Sequence, residues 1–127
     1  MNPGAVAGAR AGHHDLCFGC GLANVFGLAL EAVRDDDGSV TGRFFVKQDH
    51  QGADGAAHAG VLAAALYEVL ALAVDGAPAR FEVDLVGAAP VGTMVDLEAN
   101  AEPGSGRARA VATGEHGPVA RAASGGA

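Results

Sequence analysis

The sequence predicts an α+β domain in which one long helix covers an antiparallel sheet. Two observations carry that reading. Within residues 58–74, Val61, Leu62, Ala65, Leu66, Val69, Leu72 and Ala73 recur at helical spacing among good helix formers. After it, residues 80–86, 93–101, 107–113 and 119–123 form short segments divided by turn signals such as Pro90-Val91-Gly92 and Pro103-Gly104-Ser105-Gly106. One helix followed by a run of hairpin-connected strands means an antiparallel sheet rather than alternating β-α units.

Taken in order, residues 1–12 are rich in Gly and Ala without periodicity and are expected to be a disordered arm. Residues 13–124 make a single domain, and residues 125–127 a frayed end. Residues 27–34 alternate in part, with Leu28, Leu30 and Ala32 on one side, and Asp35-Asp36-Asp37-Gly38 turns them into residues 39–46 as a hairpin. Residues 47–57 are a polar loop punctuated by glycine. The helix that follows is apolar on nearly every side and is expected to be buried almost all round. It stops at Asp75-Gly76-Ala77-Pro78. In segment 80–86, Phe81, Val83 and Leu85 alternate with Glu82 and Asp84, as in a half-buried strand.

Composition narrows the function. The 127 residues are 50% hydrophobic but only 5% aromatic, and Gly contributes 20 of them, so each buried side chain removes little area from water. A small domain also buries a modest fraction of its surface. An oligomer that buries more surface between chains is therefore expected. A net charge of −7 with a single Lys, Lys47, argues against nucleic acid and anionic membrane surfaces as partners. The apolar run is broken by Tyr67-Glu68 and falls short of the ~20 residues of a spanning helix. The opening residues lack an apolar signal region, and two cysteines do not make a secreted scaffold, so a cytoplasmic protein is expected.

No Ser, Thr or Cys lies between Thr41 and Thr93, which removes a serine hydrolase built on the central element. No glycine-rich phosphate loop opens the helix. His13-His14 with Cys17 and Cys20 offers thiols two residues apart, but a structural zinc site normally draws on a second ligand pair, so no metal and no cofactor are expected. The polar run from His50 to Gly60 stands directly before the helix. A helix start with small residues exposes N–H groups whose dipole favours negative charge, and such an end binds an anion or stabilises an oxyanion. Glu68 lies well inside the apolar helix, with no Lys or Arg between Lys47 and Arg80 to pair with it. Either the helix exposes that face, or Glu68 borders a cavity where a raised pKa is useful. Its neighbour Tyr67 is the only Tyr in the chain: a packed aromatic with a tethered hydroxyl, or a donor at the edge of a site.

These runs resemble the hotdog-fold thioesterase superfamily, in particular its small acyl-CoA thioesterases of the phenylacetate-pathway and 4-hydroxybenzoyl-CoA type. The family start C-F-x-C-G-x-x-N-P-x-G-L is matched by Cys17-Phe18-Gly19-Cys20-Gly21-Leu22-Ala23-Asn24-Val25-Phe26-Gly27-Leu28. The family run H-Q-G-x-x-G-x-x-H-G-G-V-L-A is matched by His50-Gln51-Gly52-Ala53-Asp54-Gly55-Ala56-Ala57-His58-Ala59-Gly60-Val61-Leu62-Ala63. The resemblance implies an antiparallel sheet of five to six strands wrapped around one long central helix, in homodimers or homotetramers with pantetheine entering between subunits. It places carbonyl polarisation on the Ala59 N–H, with Gly60 beside it. It gives the role of base or nucleophile to an acid on the helix. The usual acid position falls on Tyr67 and Glu68 follows it; the amide position falls on Gly52, with Gln51 one step away.

The expected function is hydrolysis of an acyl-CoA or acyl-carrier-protein thioester, with coenzyme A or pantetheine present only as part of the substrate. Glu68, Ala59, Gly60, His58 and Gln51 are the expected catalytic set. His50, Gly52, Asp54, Gly55 and Tyr67 are expected to line the substrate. Two alternatives stand beside it: a non-catalytic hotdog protein that binds acyl-CoA or an acyl carrier, and a dehydratase-type hotdog enzyme.

Overall fold

In the computed structural model the described residues are 9–125, so residues 1–8 of the expected arm and residues 126–127 of the expected frayed end lie outside them. Among the described residues the strands are β1 (Ala9–Ala11), β2 (Glu31–Arg34), β3 (Val40–Phe45), β4 (Phe81–Leu85), β5 (Met94–Ala101), β6 (Ala108–Gly114) and β7 (Gly117–Ser124). They form one antiparallel sheet in the order β1-β2-β3-β5-β6-β7-β4. That is one strand more than the five to six expected. The addition is β1, in the stretch read as an arm: Ala9 to Ala11 pair with Arg34 to Ala32. Three residues without alternation carry no strand signal of their own; β2 supplies it through its open edge.

The helix α1 (Ala59–Val74) lies across β3, β5, β6 and β7. Leu62, Leu66, Val69 and Leu70 point into the core opposite Leu30, Val40, Phe44 and Val95, all buried. The alanines have a definite place beneath it. Leu97, Ala112 and Ala120 are cross-strand neighbours in one row, and Ala99, Ala110 and Ala122 in the next. All six are buried. A floor of methyl groups lets the helix sit close to the sheet, and the bulk that fills the gap comes from the leucines above. Truncating Leu66 to Ala would cost about 2–5 kcal/mol.

Both helix ends are finished locally. His58 is the N-cap, extended at φ −61°, ψ 143°, and its Nδ1 accepts the Gly60 N–H at 2.8 Å. Asp75 closes the C-terminus in the left-handed region at φ 56°, its N–H donating to the Ala71 carbonyl. Arg34 Nη2 donates to the Leu72 carbonyl at 2.6 Å, a cation where the helix dipole is negative. The helix is not buried all round: Gly60 is exposed, and Ala63, Ala64 and Tyr67 are half-buried along one stripe. Among the described residues no helix is long and apolar enough to cross a membrane.

Candidate active site

The loop before α1 is a closed unit. A short 3₁₀ turn (Gln48–His50) brings His50 inward, where it is 4% exposed. Its Nδ1 accepts the Lys47 N–H at 3.1 Å, its Nε2 faces the Gly27 carbonyl at 3.4 Å, and its ring meets the edge of Phe44. The His50 carbonyl accepts the His58 N–H at 2.8 Å, and the Gly52 N–H donates to Ala56 at 2.9 Å. A Cβ on Gly52 would collide with the His58 backbone, so glycine is required where the two arms touch. Gln51 Oε1 accepts the Gly55 N–H at 2.6 Å, and Gly55 turns at φ +81°. Asp54 is exposed at the tip. His50, Gln51, Gly52 and Gly55 thus hold the loop, and through it the start of the helix.

That scaffold leaves one donor open. Of the first four N–H groups of α1, Gly60 donates to His58 Nδ1, and Val61 and Leu62 donate to the His58 carbonyl. The Ala59 N–H finds no acceptor among the described residues, and Ala59 is exposed at the positive end of the dipole. His58 Nδ1 is an acceptor, so its neutral ring carries the proton on Nε2.

A groove of about 390 Å³ runs from this end along the helix, lined by Gly60, Ala63, Ala64, Tyr67, Glu68, Phe81 and residues 17–19. Alanines leave the room. Tyr67 is a wall: its hydroxyl donates to the Pro78 carbonyl at 3.1 Å and its ring packs on Phe81 at 5.2 Å. Tyr67 therefore does not substitute for an acid.

Glu68 closes the far end. It is 6% exposed, and its partner comes from the N-terminal loop: His13 Nδ1 lies 2.8 Å from Oε2. Cys17 Sγ lies 3.6 Å from Oε2 and 3.7 Å from Oε1. Burial, with the adjacent Glu68 carboxylate second, pushes the Cys20 thiol up to about 12. Both cysteines are free thiols. A Cβ on Gly19 would run into the Glu68 carboxylate, so the Cys17-Phe18-Gly19-Cys20 turn can lie against it only with glycine there.

The predicted residues thus fall into two groups. His50, Gln51, Gly52, Gly55, His58, Ala59 and Gly60 share one end; Tyr67 and Glu68 lie along the helix. Ala59 and Glu68 are nine residues apart, about 13.5 Å at 1.5 Å per residue. That exceeds the reach of a glutamate, so one chain does not bring them onto one reacting atom. Phe81 was missed as a groove component and His13 as the partner of Glu68. The only sequence signal for His13 was its position four residues before Cys17.

Neither a protein-family model nor a curated protein sequence matches the chain. Solved structures do. A thioesterase superfamily protein superposes with a TM-score of 0.76 over 87% of this chain at 20% identity. The chain has the hotdog fold. It spans 59% of the length of that neighbour. The PaaI protein from the phenylacetic acid degradation operon of E. coli shares the hotdog fold at TM-score 0.69 and 14% identity, over 76% of this chain and 77% of its own. So does a hypothetical thioesterase from Streptococcus pneumoniae TIGR4, crystallised with coenzyme A, at TM-score 0.65 and 16% identity over 75% and 81%.

Proposed function

We propose that this protein is a thioesterase that hydrolyses an acyl-CoA or acyl-carrier-protein thioester as a homo-oligomer. The observation that carries the reading is the unpartnered Ala59 N–H at the start of the helix, one residue before Gly60, which lines the groove. Aimed at a thioester carbonyl, it meets the negative charge that grows on oxygen as water attacks, with the helix dipole behind it. Water adds to the carbonyl carbon, the C–S bond breaks, and the sulfur leaves as a thiol with the acid as second product. The imidazoles of the loop accept backbone N–H groups on Nδ1, so each neutral ring offers Nε2–H as a hydrogen-bond donor and has no free nitrogen to act as a base. Glu68 is the carboxylate lining the groove and takes the proton from water.

The gap of about 13.5 Å along the helix supports an oligomeric site: Ala59 of one copy works with Glu68 of another. The sheet offers a means in β4, an open edge strand beside the groove whose Leu85 and following Val86 are exposed. The test is thiol release from a panel of acyl-CoAs and acyl carriers. Hydrolysis that falls at least about 100-fold in Glu68→Gln supports the reading. Absence of hydrolysis with every thioester overturns it, and binding without thiol release would assign the groove to carriage.

A further inference from the structure

We propose that His13 Nδ1, Cys17 Sγ, Cys20 Sγ and Glu68 Oε2 bind one zinc ion, which clasps the N-terminal loop to the middle of α1. This goes beyond the thioesterase reading and does not rest on it. The sequence argued against a metal because no second ligand pair follows Cys20; the fold supplies the missing donor from the helix.

The four donor atoms lie within 4.8 Å of one another. Zinc takes sulfur at about 2.3 Å and nitrogen or oxygen at about 2.0–2.1 Å in a tetrahedron, which sets sulfur–nitrogen and sulfur–oxygen edges near ~3.5 Å. Here Nδ1 of His13 is 3.6 Å from both sulfurs, and Cys17 Sγ is 3.6 Å from Oε2. The fourth edge, Nδ1 to Oε2, is 2.8 Å and must open by about half an ångström to reach the zinc value. The His13 side chain is 42% exposed and free to make that movement.

The loop is shaped for the thiols. The His13 N–H donates to Cys20 Sγ at 3.1 Å and so draws the His13 backbone and the thiol together. The Gly21 N–H donates to the Cys17 carbonyl at 2.8 Å, and a Cβ on Gly21 would collide with the Asp15 carbonyl. Glycines on either side of Cys20 therefore let the turn fold tightly and meet the carboxylate at once. Two soft sulfurs with one imidazole and one carboxylate suit zinc rather than magnesium or calcium. Coordination through Oε2 leaves Oε1, on the Gly19 side, to the groove. The clasp also has something to hold: Leu16, Phe18, Leu22, Val25 and Phe26 in and after this loop are all exposed, so apolar burial does little to anchor it.

The test is metal content of the full chain purified under reducing conditions, followed by chelator stripping and titration with Co²⁺ and Zn²⁺. The expected result is one zinc per chain and, with Co²⁺, sulfur-to-cobalt charge transfer together with the visible bands of a tetrahedral site. His13→Ala, at an exposed ring, should weaken zinc binding at least about 100-fold, the upper end of what losing a residue that merely supports a ligand costs. The doubly substituted Cys17→Ser/Cys20→Ser chain should lose the charge-transfer band. A reduced chain with two titratable thiols that takes up neither ion overturns the proposal. So does zinc affinity unchanged in His13→Ala. A Cys17–Cys20 disulfide that binds no metal after reduction overturns it as well. Every readout is the metal, so the outcome is independent of thioester hydrolysis.

Discussion

The start of α1 and its middle are built in opposite ways. At its start, a contiguous loop uses its own backbone and two histidines to satisfy its donors, and leaves the Ala59 N–H open. At Glu68 the buried carboxylate is surrounded by His13, Cys17 and Cys20 from a distant part of the chain. The start offers a group to a ligand, and the middle holds a side chain in place. Substitutions should therefore separate them: changes at the first should alter rate more than stability, changes at the second stability along with rate.

The largest effect is expected from Ala59→Pro. Proline is tolerated at the first helical position, and His58 already has the extended backbone a residue before proline needs. The substitution removes one N–H and little else. We expect kcat for thioester hydrolysis to fall about 10²–10³-fold, with the urea midpoint near that of the wild type. A loss of stability matching the loss of rate would remove the distinction.

Next in size is Gly19→Ala, which sets a methyl group against the Glu68 carboxylate. Overpacking of this kind costs about 1–3 kcal/mol. Chemical denaturation should show that loss in the same variant whose zinc content falls. His58→Ala removes the N-cap acceptor and should cost about 1 kcal/mol. Because the Ala59 N–H remains, kcat should fall far less than in Ala59→Pro.

The smallest effect lies away from both regions. In the β2–β3 turn, hydrogen bonds from Ser39 hold the Asp37 carboxyl below its ordinary 3.8. A folded-state pKa below the unfolded one gives stability that is present above the unfolded value and lost as pH falls through the folded one. Ser39→Ala should flatten that acid limb in thermal melts while leaving the groove untouched.

How much was legible follows the same division. Residues 58–74 announce a helix through spacing, the alternation in residues 80–86 announces β4, and the run from His50 to Gly60 marks the helix start. These signals are local. Glu68 reads as a carboxylate without a cationic neighbour because no Lys or Arg stands between Lys47 and Arg80. Its partner stands at His13, brought over by pairing of residues 18–19 with residues 28–30, through bonds such as Leu28 N–H to the Phe18 carbonyl at 2.8 Å. That pairing depends on Gly27, whose Cβ would collide with the Phe18 carbonyl, and no periodicity reports it. β1 escaped for a related reason: its three residues take their conformation from β2.

Mixed oligomers test whether Ala59 of one copy works with Glu68 of another. Co-expression of Ala59→Pro with Glu68→Gln joins two chains that are each inactive alone. In a twofold dimer a mixed pair contains one intact site, and random pairing predicts recovery of about one quarter of the wild-type rate. Mixtures as inactive as the separate variants would contradict the shared site.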